Sequence, residues 1–243
     1  MRLLLKLSGE QLAGENERGF DLERAKWVAR EIAKVPAGTE LVIVVGGGNI
    51  VRGAEMAGQE IQRVSADNMG MLATVINAVA LADVFNACGV ATAALSNVSC
   101  AQVIDDYTYR RALSHLSKGR VVIVAGGTGR PYFTTDTSAL NLAIELNCDL
   151  VAKATKVDGV FDKDPEQFAD ARKFEQLSFA KAVEDNAIRV MDKAALALAA
   201  DNQKPIVVFE LLREGNIARV AGRESVGTRI DQHNERERRR HDS

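Results

Sequence analysis

Six short apolar runs, separated by stretches of helical period, leave this chain few architectures. They are Arg2–Leu7, Glu40–Val45, 90–95, 120–124, 150–152 and 206–209. Each is continuously apolar rather than alternating, which fits strands covered on both faces. After the first run, Ala25, Val28, Ala29 and Ile32 follow the i, i+3, i+4, i+7 pattern, with Asp21 as N-cap and Glu23 in the first turn. The pattern predicts further helices over 69–88 (ended by Gly89), 107–118 (stopped by Gly119) and 137–146. Ser178 caps a fifth helix, and Asp192 opens an alanine-rich sixth that ends before Pro205. Alternation of this kind predicts a mostly parallel sheet between helical layers. Right-handed crossovers then bring the strand C-terminal ends to one edge, where ligands gather.

Composition narrows the function classes. A chain of 243 residues can bury a large core, as one α/β domain or two small ones. A formal net charge of −2 gives no case for nucleic acid or a membrane surface. No apolar run is expected to reach the length that spans a bilayer, and Leu3-Leu4-Leu5 is too short for a signal-peptide core. Cys88, Cys100 and Cys148 are scattered and read as reduced thiols of a cytoplasmic protein. The isolated His115, His233 and His241 have no zinc-site spacing. Residues 231–243 hold Glu235-Arg236-Glu237-Arg238-Arg239-Arg240 and no apolar side chain, so a disordered tail is predicted there.

The loops after the strands carry the chemistry. Thr128-Gly129-Arg130-Pro131-Tyr132-Phe133-Thr134-Thr135-Asp136 follows Gly126 and Gly127 and leads into a predicted helix. The first N–H groups of a helix lack partners and the dipole is positive there, so this stretch suits an anion. Gly46-Gly47-Gly48-Asn49 ends the second strand and Arg52 follows. Backbone donors without Cβ neighbours and a planar charged fork favour a phosphate loop over a merely flexible one. Lys6-Leu7-Ser8-Gly9 reads either as a phosphate-side lysine or as a surface lysine before a tight turn. The segment 153–161, with Asp162-Lys163-Asp164-Pro165 after it, offers Phe161 as a shelf for a base or as a core residue. Asp67 and Asp192 read as N-caps. There is no G-x-x-x-x-G-K-[ST]. The pattern G-x-G-x-x-G fails at Val51 when begun from Gly46 and at Tyr132 when begun from Gly127. Protein-kinase signatures are also missing.

Taken in order, the segments 6–9, 46–52, 66–74 (Ala-Asp-Asn-Met-Gly-Met-Leu-Ala-Thr), 127–136 and 153–161 resemble the bacterial uridylate (UMP) kinase family. Val190-Met191-Asp192 extends the match. The relatives of that family share the amino-acid kinase fold and include kinases for glutamate, aspartate, acetylglutamate and carbamate. The resemblance implies a single three-layer αβα sandwich over residues 1–230, with an acceptor half near 1–140 and an ATP half near 141–230. It also implies transfer of the ATP γ-phosphoryl group to UMP with Mg²⁺ on the phosphates, and a homohexamer commonly activated by GTP and inhibited by UTP. By motif matching, ATP falls to Lys6, Leu7, Ser8, Gly9, Gly48, Arg52, Thr155, Phe161 and Asp164. UMP falls to Gly47, Asp67, Thr128, Gly129, Arg130, Pro131, Tyr132, Phe133, Thr134 and Thr135. No protein metal ligand is expected.

The acceptor in such a reaction is a phosphate oxygen, so no strong general base is needed; the task is to overcome repulsion between two polyanions. Lys6 and Arg52 are expected to be the principal side-chain cations. Asp136 and Asp192 would orient the lysine and the magnesium shell. Three departures from the family pattern stand out. Gly14-Glu15-Asn16-Glu17-Arg18-Gly19-Phe20-Asp21, where relatives place part of the GTP effector site, is more charged than usual. Arg130 replaces a usual asparagine, and Lys193 a usual apolar residue. The competing readings are a sibling kinase acting on a carboxylate or carbamate and a non-catalytic nucleotide-binding or storage protein.

Overall fold

Side chains along β1 (Arg2–Leu7) alternate between two cores, as period-two geometry requires. Leu3, Leu5 and Leu7 belong to a cluster with α1 (Leu22–Ala33), the long α2 (Arg63–Ala87) and α7 (Asn216–Ala221). Leu4 belongs to the cluster on the other face, with α3 (Tyr109–Leu116), α4 (Thr135–Glu145), α5 (Phe179–Glu184) and α6 (Lys193–Asp201). The result is the αβα sandwich expected. The computed structural model describes residues 1–52, 56, 60–165, 167–185 and 190–232.

Around β1 the sheet grows in both directions. With β2 (Glu40–Val45), β3 (Thr92–Ser96), β4 (Asp105–Asp106), β5 (Val121–Ala125), β6 (Leu150–Thr155), β9 (Gln176–Ser178), β10 (Ile206–Glu210) and β11 (Thr228–Asp231), nine strands run in the order β4-β3-β5-β2-β1-β6-β10-β11-β9. Every neighbouring pair is parallel except β10 with β11. A separate antiparallel pair joins β7 (Val160–Phe161) to β8 (Lys173–Phe174). The C-terminal ends of β1, β2, β5 and β6 open onto one edge.

Differences from the expected boundaries have local causes. β3 starts two residues late because Val90 N–H still bonds Phe85 O, closing α2 through Gly89 at φ +82°. α2 begins six residues before the expected 69, where Ser65, Asp67, Asn68 and Gly70 blur the apolar pattern. α3 begins at Tyr109 because Thr108 caps it, accepting from Arg111 N at 3.2 Å. Asp21 and Ser178 cap α1 and α5, accepting from Arg24 N and Lys181 N. β6 runs to Thr155, three residues past its expected end.

Two expectations are corrected. The tail was expected from residue 231, but Asp231 closes β11, pairs with Ser178 and is buried; residues 233–243 lie outside the described residues. The chain also does contain a helix long and apolar enough to cross a bilayer, namely α2. Here it is a core helix. Ala73, Val75, Ala78, Leu81 and Phe85 are buried against the sheet, and each large buried side chain contributes roughly 1.5–3 kcal/mol.

Candidate active site

Lys6 and Lys153 are opposite each other in the β1–β6 register, on the face that Leu4 and Val151 fill with core. Two lysines inside apolar strands need a counter-charge. Asp136, in the first turn of α4, supplies it. Its Oδ1 lies 2.9 Å from Lys6 Nζ and its Oδ2 lies 2.6 Å from Lys153 Nζ. Lys153 Nζ also donates to Val190 O at 2.5 Å. Lys6 and Asp136 are each only 8% exposed. Burial pushes the Asp136 carboxyl upward, but the two ammonium groups outweigh it and hold it below the ordinary value. Burial also lowers the Lys153 ammonium, and Asp136 opposes that shift. The cluster carries two positive charges against one negative, at the positive end of a helix, so it attracts anions.

Two loops meet beside this cluster, and close packing explains their glycines. A Cβ on Gly9 would lie 2.6 Å from Asn49 Oδ1 and 2.7 Å from Gly48 N; one on Gly46 would lie 2.8 Å from Gly9 N. On Gly47 it would meet Ala73 Cβ at 2.7 Å and Gly70 O at 2.8 Å. Gly48 differs: its nearest neighbour would be Glu10 Cγ at 3.6 Å, so its surface is open to a ligand. Beneath the loop, Asn49 and Asn77 exchange amide bonds of 3.0 and 2.7 Å. Asn77 also donates to Gly46 O at 2.7 Å and Asn49 to Gly19 O at 2.8 Å. Both asparagines are buried. Leu7 contributes its carbonyl to Gly46 N, while its side chain is buried in the core. Ser8 N–H is taken by Gln11 Oε1 at 3.2 Å. Arg52 pairs with Glu10 at 3.0 Å, beside a cavity of about 600 Å³ that Arg18, Arg24 and Lys156 also line.

The stretch from Gly126 to Asp136 is held from three sides. Gly126 and Gly127 take positive φ, which L side chains rarely adopt. Gly126 N donates to Thr74 Oγ1 at 2.7 Å, and Gly127 O accepts from Asn97 Nδ2 and Ser138 Oγ. Asp67 Oδ2 accepts Tyr132 N–H at 2.8 Å, fixing Tyr132 at φ +69°. Both Asp67 oxygens also lie 2.9 Å from Arg63 Nε, and the Arg63 guanidinium sits 5.3 Å from the Tyr132 ring centroid. Thr134 caps α4 and donates to Asp192, which also accepts from Thr137 Oγ1 at 3.1 Å and from Ala195 N at 2.9 Å. Asp192 thus joins two helix N-termini. Thr128 Oγ1 and Arg130 exchange bonds within their own turn, and Arg130, Tyr132 and Phe133 are exposed. Gly129, Pro131 and Thr135 complete the rim.

On the far side, Thr155 Oγ1 donates to Val157 O at 2.7 Å and to Phe209 O at 3.2 Å. Phe161 is half-buried in β7, opposite Lys173, and Asp164 O accepts from Gln167 N and Phe168 N.

The structure therefore brings Lys6 to Asp136, Asp67 to the 128–135 rim, and Asp192 to Thr134. Lys153, Thr74, Asn77 and Asn97 were missed as site residues. Lys153 had a readable signal, a lysine inside an apolar run, but the expected strand stopped at residue 152. The others act on backbone atoms distant in sequence, and no local pattern announces that.

The chain matches the model of the amino acid kinase family over residues 1–210. It is 49% identical to the uridylate kinase of Wolinella succinogenes over 221 residues, covering 90% of this chain and 91% of that protein. Among solved structures it is similar to the UMP kinase from Bacillus anthracis, at a TM-score of 0.90 and 39% identity with 96% of each chain covered. The UMP kinase from Ureaplasma parvum follows at 0.88 and 33%, covering 95% of this chain and 98% of that one. The uridylate kinase from Archaeoglobus fulgidus follows at 0.74 and 27%, covering 95% and 100%.

Proposed function

The chain belongs to the amino acid kinase family, and from that premise we infer that it is a UMP kinase. It is a nucleoside monophosphate kinase, a phosphotransferase that moves the γ-phosphoryl group of ATP to UMP and gives ADP and UDP. One observation carries the reading to this chain's own atoms. A buried carboxylate with two lysines lies at a helix N-terminus, between a glycine loop and an anchored rim.

The following assignments are part of the same proposal. UMP lies against Gly47, Asp67 and the rim from Thr128 to Thr135, with the Asp67 carboxylate free to accept from ribose hydroxyls once it turns from Arg63. ATP lies toward Gly48, Arg52, Thr155, Phe161 and Asp164, with Lys6 and the backbone of Leu7, Ser8 and Gly9 at the meeting point. In-line transfer between two polyanions needs positive charge and aligned donors more than proton abstraction. Lys6 supplies a mobile ammonium, Arg52 a fork at the mouth, and α4 its first N–H groups. Asp136 holds Lys6 at the transfer point, and Asp192 holds the α4 N-terminus through Thr134.

Both Asp136 oxygens face lysines and both Asp192 oxygens face hydroxyls. Among the described residues no three His, Cys, Asp or Glu side chains converge on a point that would hold a metal ion. That arrangement fits Mg²⁺ carried by nucleotide phosphates and water, which is the usual habit of this ion. When bound, it would supply charge neutralisation on the nucleotide phosphates.

A cytoplasmic homohexamer, GTP activation and UTP inhibition belong to the proposal as well, and so do an acceptor half near 1–140 and a donor half near 141–230. The deciding experiment follows ADP release with ATP, Mg²⁺ and each of UMP, CMP, dTMP, glutamate and carbamate, with and without GTP and UTP. UMP is expected to dominate. Turnover of a carboxylate or carbamate instead, or nucleotide binding without UDP, would overturn the reading.

A further inference from the structure

The turn after β5 contains one peptide whose direction the turn itself does not fix. Gly129 N donates to Gly126 O at 2.8 Å and closes a β-turn. Gly127 lies at φ +54° and Thr128 outside the positive region, the sign pattern of a type II′ turn. The central peptide, Gly127 C=O with Thr128 N–H, takes no part in the closing bond, so two orientations of opposite polarity are open to it. Two side chains choose between them. Asn97 Nδ2 donates to Gly127 O at 2.6 Å from the loop after β3, and Ser138 Oγ donates to the same oxygen at 2.7 Å from α4. We propose that Asn97 is a positioning residue for the acceptor nucleotide, holding the Gly127 carbonyl so that Thr128 N–H stands as a preset donor to an oxygen of UMP. The proposal rests on the UMP kinase reading of this site.

The carbonyl and the N–H of a trans peptide point in opposite directions. With Gly127 O drawn toward Asn97 and Ser138, Thr128 N–H faces away from both, and no acceptor among the described residues takes it. A flip would put a carbonyl oxygen where that donor stands, the wrong polarity for a phosphate or a uracil carbonyl. It would also strand both side-chain donors, and Ser138 is buried, where an unmade bond is costly. Close packing holds the turn against the β3 loop as well. A Cβ on Gly126 would lie 2.6 Å from Val98 N, and one on Gly129 would lie 2.9 Å from Asn97 O. A further donor matters at this rim because Thr134 Oγ1 already accepts from Asp136 N and Thr137 N, at 3.1 and 3.3 Å. Two of the first N–H groups of α4 are therefore shared. A donor fixed before the substrate arrives needs no reorganisation when it does.

The test uses the full chain, UDP formation from ATP and UMP, and thermal melts. Asn97→Leu keeps the size of the side chain and removes its donor. It is expected to lower kcat/KM for UMP about tenfold, with the KM for ATP within about twofold of the parent. Asn97→Asp has the same shape but sets a carboxylate against the carbonyl, and is expected to be slower than the leucine variant. Ser138→Ala removes the other donor and is expected to lower kcat/KM for UMP in the same way, so it decides the matter if a variant at position 97 melts early. Competition by uridine assigns the oxygen. Its inhibition stays unchanged in Asn97→Leu if Thr128 N–H meets the phosphate and weakens with UMP if it meets the nucleoside; either result upholds the donor. Asn97→Leu within about twofold of the parent in kcat/KM for UMP, an aspartate variant as fast as the parent, or equal rises in the KM for UMP and for ATP would each overturn the proposal. Parent chain that makes no UDP would overturn the activity itself; active parent with both KM values rising together overturns only the role of Asn97.

Discussion

The two walls of the site are built differently. The wall proposed for the acceptor, from Gly126 to Thr137, is pinned by Thr74, Asn97, Asp67 and Asp192, which come from α2, the β3 loop and the cap of α6. Two of these bonds reach buried backbone. The wall proposed for the donor leans on a pair of two-residue strands, β7 and β8, held to the main sheet through Val160 N–H on Thr228 Oγ1. Its ion pairs, Lys173 with Asp158 and Lys163 with Asp170, are part-exposed. Bonds to buried groups are expensive to lose, and exposed ion pairs are worth little. The difference implies a preformed acceptor wall that discriminates and a donor wall that can move.

The largest effect should fall where the walls meet. Lys6→Ala is expected to cost about 10³ in kcat with the melting temperature nearly unchanged, because Lys153 keeps Asp136 paired; a kinetic assay and a thermal melt check both halves. Next come the glycines. Gly47→Ala drives a Cβ into Ala73 and the Gly70 carbonyl and should destabilise by about 1–3 kcal/mol, read in a urea melt. Gly48→Ala has room and should leave that melt alone while weakening nucleotide binding. Equal destabilisation by both would erase the distinction between packing and ligand glycines. A smaller effect is expected for Asp67→Ala, roughly tenfold in the KM for UMP with the KM for ATP unchanged; a matched rise in both would mean that the walls are not separate.

The pH dependence sharpens the same contrast. Asp136 titrates below its ordinary 3.8 because Lys6 and Lys153 outweigh the effect of burial. Its contribution to stability is therefore complete above that value and is lost as pH falls through the lower native one. Asp136→Asn should flatten that part of the acid-denaturation curve. Least of all, Lys173→Ala on the donor wall should change stability by no more than about 0.5 kcal/mol; a larger loss would show that wall to be as rigid as the other.

The strands were legible because burial on both faces writes a continuous apolar run, as in β1 and β2. Caps were legible as well at Asp21, Ser178 and Asp192, which sit directly before helical pattern, but not at Asp67, which was read as a cap and lies inside α2 because that helix starts at Arg63. β9 and β11 were not: at three and four residues they are too short to show a period. The loops of the candidate site announced themselves by glycine, although at Gly9, Gly46 and Gly47 the glycine serves backbone packing. What stayed hidden was pairing across distance. Lys153 and Asp136 are 17 residues apart and Tyr132 and Asp67 are 65 apart, and only the folded sheet edge joins them.

The reciprocal amides of Asn49 and Asn77 carry a consequence for the ageing of the molecule. Each side chain gives its N–H to the other and also to a main-chain carbonyl, Gly19 O or Gly46 O. Hydrolysis of either amide, with water taken up and ammonia released, would turn a donor into a second acceptor, set oxygen against oxygen under the glycine loop and leave that carbonyl without its donor. Old protein would then lose its hold on nucleotide before its sheet weakened, with a mass gain of one unit at position 49 or 77 as the clock.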